Sequence, residues 1–325
     1  MKIGVIGDIH WSKYSSIMRQ IGETYTKRLE NCIESINWAE ETLRDCDEIV
    51  YLGDFFDSSD LSNEEITALT SIKWNDKPHR FLVGNHEMGI NDLSKSSAHI
   101  FKLFGFDVID KPKEIDGIGY IPYVLSANRE PLNNYVGNCK IIFSHNDIKG
   151  VQMGRYVSED GFSIEEIEKS CEMFINGHLH NGERINDKII NLGNLTGQNF
   201  SEDANRYSHK IAVIDSDSCE LTFYENPHAF NFYKVDYNNG GNELKANAIV
   251  TASVNSDKQQ EVKDFLENDK NVICYRMVVN HLTEDSVSSG VEQLSVDHIG
   301  EFYNYVIDKL GNSDIVKKEL EEVLK

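Results

Sequence analysis

Lys2 to Trp11 reads KIGVIGDIHW, and the rest of the chain is best understood outward from it. An apolar, β-leaning run, Ile3-Gly4-Val5-Ile6, stops at Asp8-Ile9-His10. Residues i and i+2 of an extended chain point to the same side, so Asp8 and His10 can reach one common point. A metal ion is the natural occupant of that point. An Asp-x-His triplet alone says little, because about one is expected by chance in a chain of this composition, and its meaning rests on context.

The context is four more apolar strands that run into ligand-type residues. EIVYLGDFFD ends in Gly53, Asp54 and Asp57, and RFLVGNHE ends in Gly84, Asn85, His86 and Glu87. CKIIFSHND carries His145, and EMFINGHLH ends in Gly177, His178 and His180. A Gly-Asn-His-acid tetrapeptide is expected only ~0.01 times at this composition, so that match is informative. All five stretches fall at the carboxyl ends of expected strands, where open α/β sheets gather ligands and catalytic groups.

Seven groups then stand out as candidate metal ligands: Asp8, His10, Asp54, Asn85, His145, His178 and His180. Imidazoles, carboxylates and an amide suit two borderline or hard divalent cations, and no thiolate takes part. Mn²⁺ is the first choice, with Fe²⁺, Zn²⁺ or Mg²⁺ as alternatives. One carboxylate can bridge ions ~3.5–4 Å apart, the separation used in two-metal phosphoester cleavage. A glycine before a ligand lets the backbone turn sharply near the site. The other histidines, His79, His99, His209, His228, His281 and His298, lack this context and are read as surface or packing residues.

Strands are expected at Lys2–Gly7, Glu48–Leu52, Arg80–Val83, Gly119–Pro122, Lys140–Ser144, Glu172–Asn176 and Lys188–Leu192. Helical spacing or composition marks Thr24–Arg44, Ser62–Trp74, Asp92–Phe104 and Ser163–Lys169. Such alternation argues for a layered α/β domain. Lys210–Asp215, Glu220–Tyr224 and Phe230–Asp236 follow as strands without helices and are expected to complete a second sheet. Residues 237–245 form a polar, Gly/Asn-rich linker. Beyond it, Ala246–Val254, Lys258–Asn268 and Val272–Val279 read as strand, helix, strand. The division expected is therefore 1–236 as the main domain, 246–284 as a small α+β domain, and 285–325 as a helical segment that docks on itself or on a partner.

Composition sets outer bounds. The 325 residues are 40 % hydrophobic with only 5 prolines, as in a globular chain. No apolar run approaches the ~20 residues of a membrane span, and a signal peptide is not expected. Six scattered cysteines without a C-x-x-C pair suit reduced thiols in a cytoplasm. The net charge of −22 opposes nonspecific binding to nucleic acid, whose affinity comes mostly from Lys and Arg at phosphates. Divalent cations or a basic partner would have to supply the positive charge.

The order D-x-H, G-D-x-x-D, G-N-H-[DE], H, G-H-x-H resembles the calcineurin-like metallophosphoesterase superfamily over roughly residues 1–225. The resemblance implies a two-layer β-sandwich flanked by helices, with a dinuclear metal site on one rim. It implies that Asp8, His10, Asp54 and His180 hold one ion and that Asp54, Asn85, His145 and His178 hold the second. His86 would face the scissile phosphate as a catalytic group oriented by Asp57. Protein phosphatases of this superfamily carry arginines where this chain has Ser58, Ser59, Met88 and Gly89. Without those guanidiniums, which grip a phosphomonoester, the balance tilts toward diesters. GNLTGQNFSEDANRYSHKIAVID, residues 193–215, resembles the matching segment of SbcD-type DNA repair nucleases and their phage-encoded relatives. That likeness implies a DNA exo- or endonuclease subunit and an SMC-like ATPase partner of the SbcC type, with a homodimer as a further option. Ser144 stands where glycine usually precedes the fourth-motif histidine, with room to shift the backbone near His145. Two rivals stay open: a nucleotide or small-molecule phosphodiesterase of the same superfamily, and a non-catalytic scaffold.

Overall fold

Short β-rich runs separated by capped helices build two large sheets. A computed structural model describes residues 1–280 apart from 16, 154, 155 and 242. The chain enters β1 (Lys2–Ile6), then α1 (Lys27–Thr42), β2 (Glu48–Tyr51), α2 (Asn63–Ala68), β3 (His79–Leu82) and β4 (Asp107–Ile109). It continues through β5 (Lys113–Ile115), β6 (Ile118–Ile121), β7 (Ile141–Ser144), β8 (Gln152–Met153), β9 (Tyr156–Val157), α3 (Ile164–Ser170) and β10 (Met173–Asn176). Then come β11 (Glu183–Arg184), β12 (Ile189–Asn191), β13 (Lys210–Asp215), β14 (Leu221–Glu225), β15 (Asn231–Asp236), β16 (Ala248–Asn255), α4 (Gln259–Asn268) and β17 (Val272–Asn280).

The first sheet has the order β14-β13-β1-β2-β3-β4 and the second β11-β12-β10-β7-β6-β5. Strands β1 to β4 are parallel, as are β12, β10, β7 and β6, with antiparallel strands at the edges. Alternate side chains explain the layering. Ile3, Val5, Val50 and Leu52 of the first sheet share one apolar cluster with Ile141, Phe143 and Ile175 of the second. Ile6, Ile49 and Tyr51 join Leu29, Ile36 and Ala39 of α1 in another. Ile142 and Phe174 pack with Ile167 of α3 on the far side. The fold is the expected two-layer sandwich with helices outside.

Helix starts follow local chemistry. Ser62 and Ser163 each form a capping box with the glutamate three residues on. The run Asp92–Phe104 is not the expected α-helix. It forms two 3₁₀ segments, Leu93–Lys95 and Ser97–Phe104, because the Asp92 and Ser96 side chains each accept a nearby backbone N–H. Such local bonds compete with the helical ladder.

The strands after residue 209 also sort differently from expectation. β13 and β14 extend the first sheet, whereas β15 pairs in parallel with β16 in a separate sheet, β15-β16-β17. Residues 237–245 therefore connect two neighbouring strands of one small sheet, and residues 1–280 form one compact unit. The expected helices within 285–325 lie outside the described residues. All six cysteines are free. No helix among the described residues is long and apolar enough to cross a membrane.

Phe81 of β3 anchors the aromatic side of the core. Its ring stacks on Tyr51 at 4.3 Å and on Phe101 at 3.9 Å between centroids. Phe81→Ala should cost about 3–5 kcal/mol through lost burial and a residual cavity. Urea unfolding measures this, and an unchanged midpoint would place the stack outside the cooperative core.

Candidate metal centre

The five ligand-bearing stretches all end on one rim. Asp8 and His10 follow β1, Asp54 follows β2, Asn85 and His86 follow β3, His145 follows β7, and His178 and His180 follow β10. Main-chain bonds zip the loops together. The amides of Ile9 and His10 both donate to the Asp54 carbonyl, at 3.1 and 3.0 Å. The His178 amide donates to Asp8 Oδ1 at 3.1 Å, and the His86 amide donates to Asp54 Oδ1 at 2.9 Å. Three of the candidate ligands, His10, Asp54 and His178, sit at positive φ of 51°, 47° and 74°. Such backbone costs ~1–3 kcal/mol per residue and persists only where its surroundings enforce it.

The structure brings the sequence-derived ligands together in overlapping groups. Asp8, His10 and His180 offer ligand atoms within 4.8 Å of one another, and so do Asp54, His145 and His178. His10, Asp54 and His86 form a third such group, so Asp54 stands between the two sides. Asn85 Oδ1 lies 3.2 Å from His145 Nε2 and 2.9 Å from His178 Nδ1.

The polarity of these atoms tests whether a cation fits. His145 Nδ1 donates to the Leu52 carbonyl at 2.8 Å. In the neutral ring Nε2 is then a lone pair, and it faces Asp54 Oδ2 at 3.1 Å and the Asn85 oxygen. His178 Nε2 donates to Asp147 at 3.2 Å, which leaves Nδ1 aimed at the same oxygen. On the other side, Asp8 Oδ2 and His10 Nε2 are buried without a hydrogen-bond partner. Converging acceptors and orphaned buried lone pairs are costly unless a cation joins them. Burial disfavours a charged His145, but the Asp54 and Asp8 carboxylates outweigh it and push the imidazole up to about 9. The donor set fits two divalent cations.

A second layer of residues holds the ligand rings, and apart from Asp57 none of its members stands out in the sequence. His10 Nδ1 donates to Asp57 at 2.9 Å, and Gln198 Nε2 donates to the same oxygen at 3.1 Å. His180 Nδ1 donates to the fully buried Glu202 at 3.1 Å. His209, read from sequence as surface or packing, is buried and lies 4.0 Å from Glu202. Carboxylates placed this way fix the tautomer and raise the basicity of a ligand histidine. Arg28 of α1 is buried and donates to the carbonyls of Ile9, His10 and Gly197 at 2.8, 3.1 and 2.9 Å. The only sequence hint of Gln198 and Glu202 was the likeness over residues 193–215; Arg28 and Asp147 gave none.

His86 is placed differently from the buried rings. Its side chain is 41 % exposed, and Nδ1 lies 3.5 Å from the Asp57 carboxylate. The contact with Asp57 raises His86 to about 9. Asp57 is thereby shared between His10 and His86, and it bonds the first more closely. Ser144 keeps regular register opposite Ile121 and Asn176, and its hydroxyl accepts from Asn146 Nδ2 at 3.0 Å. The strand thus runs regularly up to Ser144, just before His145.

Gly84 shows how tightly the loops approach. A Cβ there would lie 2.1 Å from Asp54 Oδ1 and 2.4 Å from its amide nitrogen. Gly84→Ala should therefore abolish stoichiometric binding of added manganese, read by mass spectrometry of desalted protein. Full metal content in a folded variant would contradict this packing.

Comparison with known proteins is consistent with the geometry. Residues 1–214 match the calcineurin-like phosphoesterase family, Metallophos. No curated protein matches the chain. The matched region covers more than half of the sequence and holds every residue of the metal cluster, and on that basis the chain belongs to the calcineurin-like phosphoesterase family.

Proposed function

We propose that this phosphoesterase is a DNA phosphodiesterase, the nuclease subunit of an SbcCD-like complex with an SMC-like ATPase partner. The observation that carries the diester reading is the lack of arginine after Asp57 and after Glu87. Ser58, Ser59, Met88 and Gly89 hold the positions where phosphomonoester enzymes of the superfamily place arginines. A diester carries one negative charge fewer and needs no such grip. The likeness of residues 193–215 to SbcD-type nucleases supports DNA as the substrate. The acidic balance of the chain favours a rival, a nucleotide or small-molecule phosphodiesterase.

Asp8, His10, Asp54 and His180 would hold one ion, and Asp54, Asn85, His145 and His178 the other. When bound, two divalent cations neutralise phosphoryl charge and activate the attacking water. The protein residues do the rest. Asp57, itself held by Gln198, orients the His10 ring, Glu202 holds His180, and Asp147 holds His178. The Asp57 contact favours the protonated His86 ring. From the open side of the site it can hand that proton to the departing ester oxygen.

His86→Ala should keep the metal content and lower kcat on bis-p-nitrophenyl phosphate by about 100-fold or more. Asp54→Ala should lose metal and turnover together. A fully active His86→Ala enzyme would remove the acid role. Manganese-dependent degradation of linear duplex DNA, with and without an ATPase partner, separates the nuclease from its rival. Turnover of small diesters with intact DNA ends would favour the rival.

A further inference from the structure

Beside the metal cluster, on the same rim, lies a cleft of about 430 Å³. One wall is the turn after β3, with Asn91 and Leu93, and the other is the segment after β6, with Tyr123, Leu125, Asn128 and Tyr135. The volume falls within the range of small-molecule sites, about 300–1,000 Å³. Tyr123 joins the cleft to the centre. Its amide donates to the Val83 carbonyl at 2.9 Å, just before Gly84 and Asn85. Its ring lies 5.8 Å from the His178 ring, tilted by 40°.

Both walls are held in place. The Tyr135 hydroxyl donates to the Asn128 carbonyl at 3.0 Å and accepts from the Glu130 amide at 2.7 Å. The opposite turn closes through the Asp92 amide on the Gly89 carbonyl at 3.0 Å. Its central residues, Ile90 and Asn91, have φ of 54° and 52°. A β-branched residue in that region is a strained choice, and Ile90 is also 89 % exposed. The cleft's carboxylates are engaged elsewhere: Asp92 accepts from Ser94 and pairs with Lys95, and Asp110 pairs with His99. Lys111 also lines the cleft, so a ligand meets an aromatic face, one ammonium, and the Asn91 and Asn128 carboxamides, each able to donate and accept.

We propose that this cleft binds the nucleobase attached to the scissile phosphate, with Tyr123 as its stacking platform. The inference rests on reading the metal centre as a phosphodiesterase site. A phosphate-binding metal site next to a cleft with an aromatic wall and hydrogen-bonding groups matches the two halves of a nucleotide. Stacking on aromatic side chains is tolerant of base identity, as a nuclease of broad sequence range requires.

Binding of thymidine 3′- and 5′-monophosphates and of methyl phosphate to the manganese-loaded protein tests this by calorimetry. A nucleotide should bind about tenfold tighter than methyl phosphate. Tyr123→Ala should erase that advantage and Tyr123→Phe should keep it. Ser94→Trp, an exposed substitution on the opposite wall, should also erase it by filling the slot. Equal affinity for nucleotide and methyl phosphate, no measurable nucleotide binding, or an advantage that survives Tyr123→Ala would overturn the proposal. A protein that prefers nucleotides but hydrolyses no diester would sink the phosphodiesterase reading and leave the cleft standing. Diester turnover without that preference would do the reverse.

Discussion

Asp54 is the point on which the site turns. It accepts the His86 amide, faces the His145 ring, and lends its carbonyl to two amides of the loop after β1. Its own backbone is left-handed. These contacts join loops that are distant in sequence, three from the first sheet and, through His145, one from the second. The sandwich must set its strand ends in register before the carboxylate has anything to bridge. Packing in the shared core and convergence of lone pairs at the rim are therefore one constraint seen at two depths.

Much of this was legible in the sequence, and the reasons are physical. A buried parallel strand writes itself as a dense apolar run. A ligand at its end must be His, Asp or Asn, so the five ligand stretches announced both the sheets and the cluster. Residues that act through a ligand carry no such mark. Glu202 and Gln198 lie in a loop of ordinary polar composition, and Asp147 looks like any turn aspartate. Arg28 sits in the first turn of an amphipathic helix, where charge normally means solvent. His209 was set aside because neither neighbour is a ligand, yet the fold delivers it to the Glu202 side of His180.

Pairing was harder to read than element type. β15 has the same alternation as its predecessors, and nothing local says that it leaves them for β16. Strand partners are chosen by the whole sheet, through edges and connections that periodicity does not encode. The run 92–104 failed for the opposite reason. Its composition suits a helix, but Asp92 and Ser96 satisfy nearby amides with their own oxygens and break the ladder into short turns.

Arg28 has a consequence for how the centre lives with its cations. Its guanidinium staples the loop after β1 to the loop at Gly197 with purely organic bonds, deep inside the protein. The bracket is thus built before any bolt goes in. That brace needs no cation to form, so the loop carrying Asp8 and His10 is tied to the loop at Gly197 by the protein's own bonds.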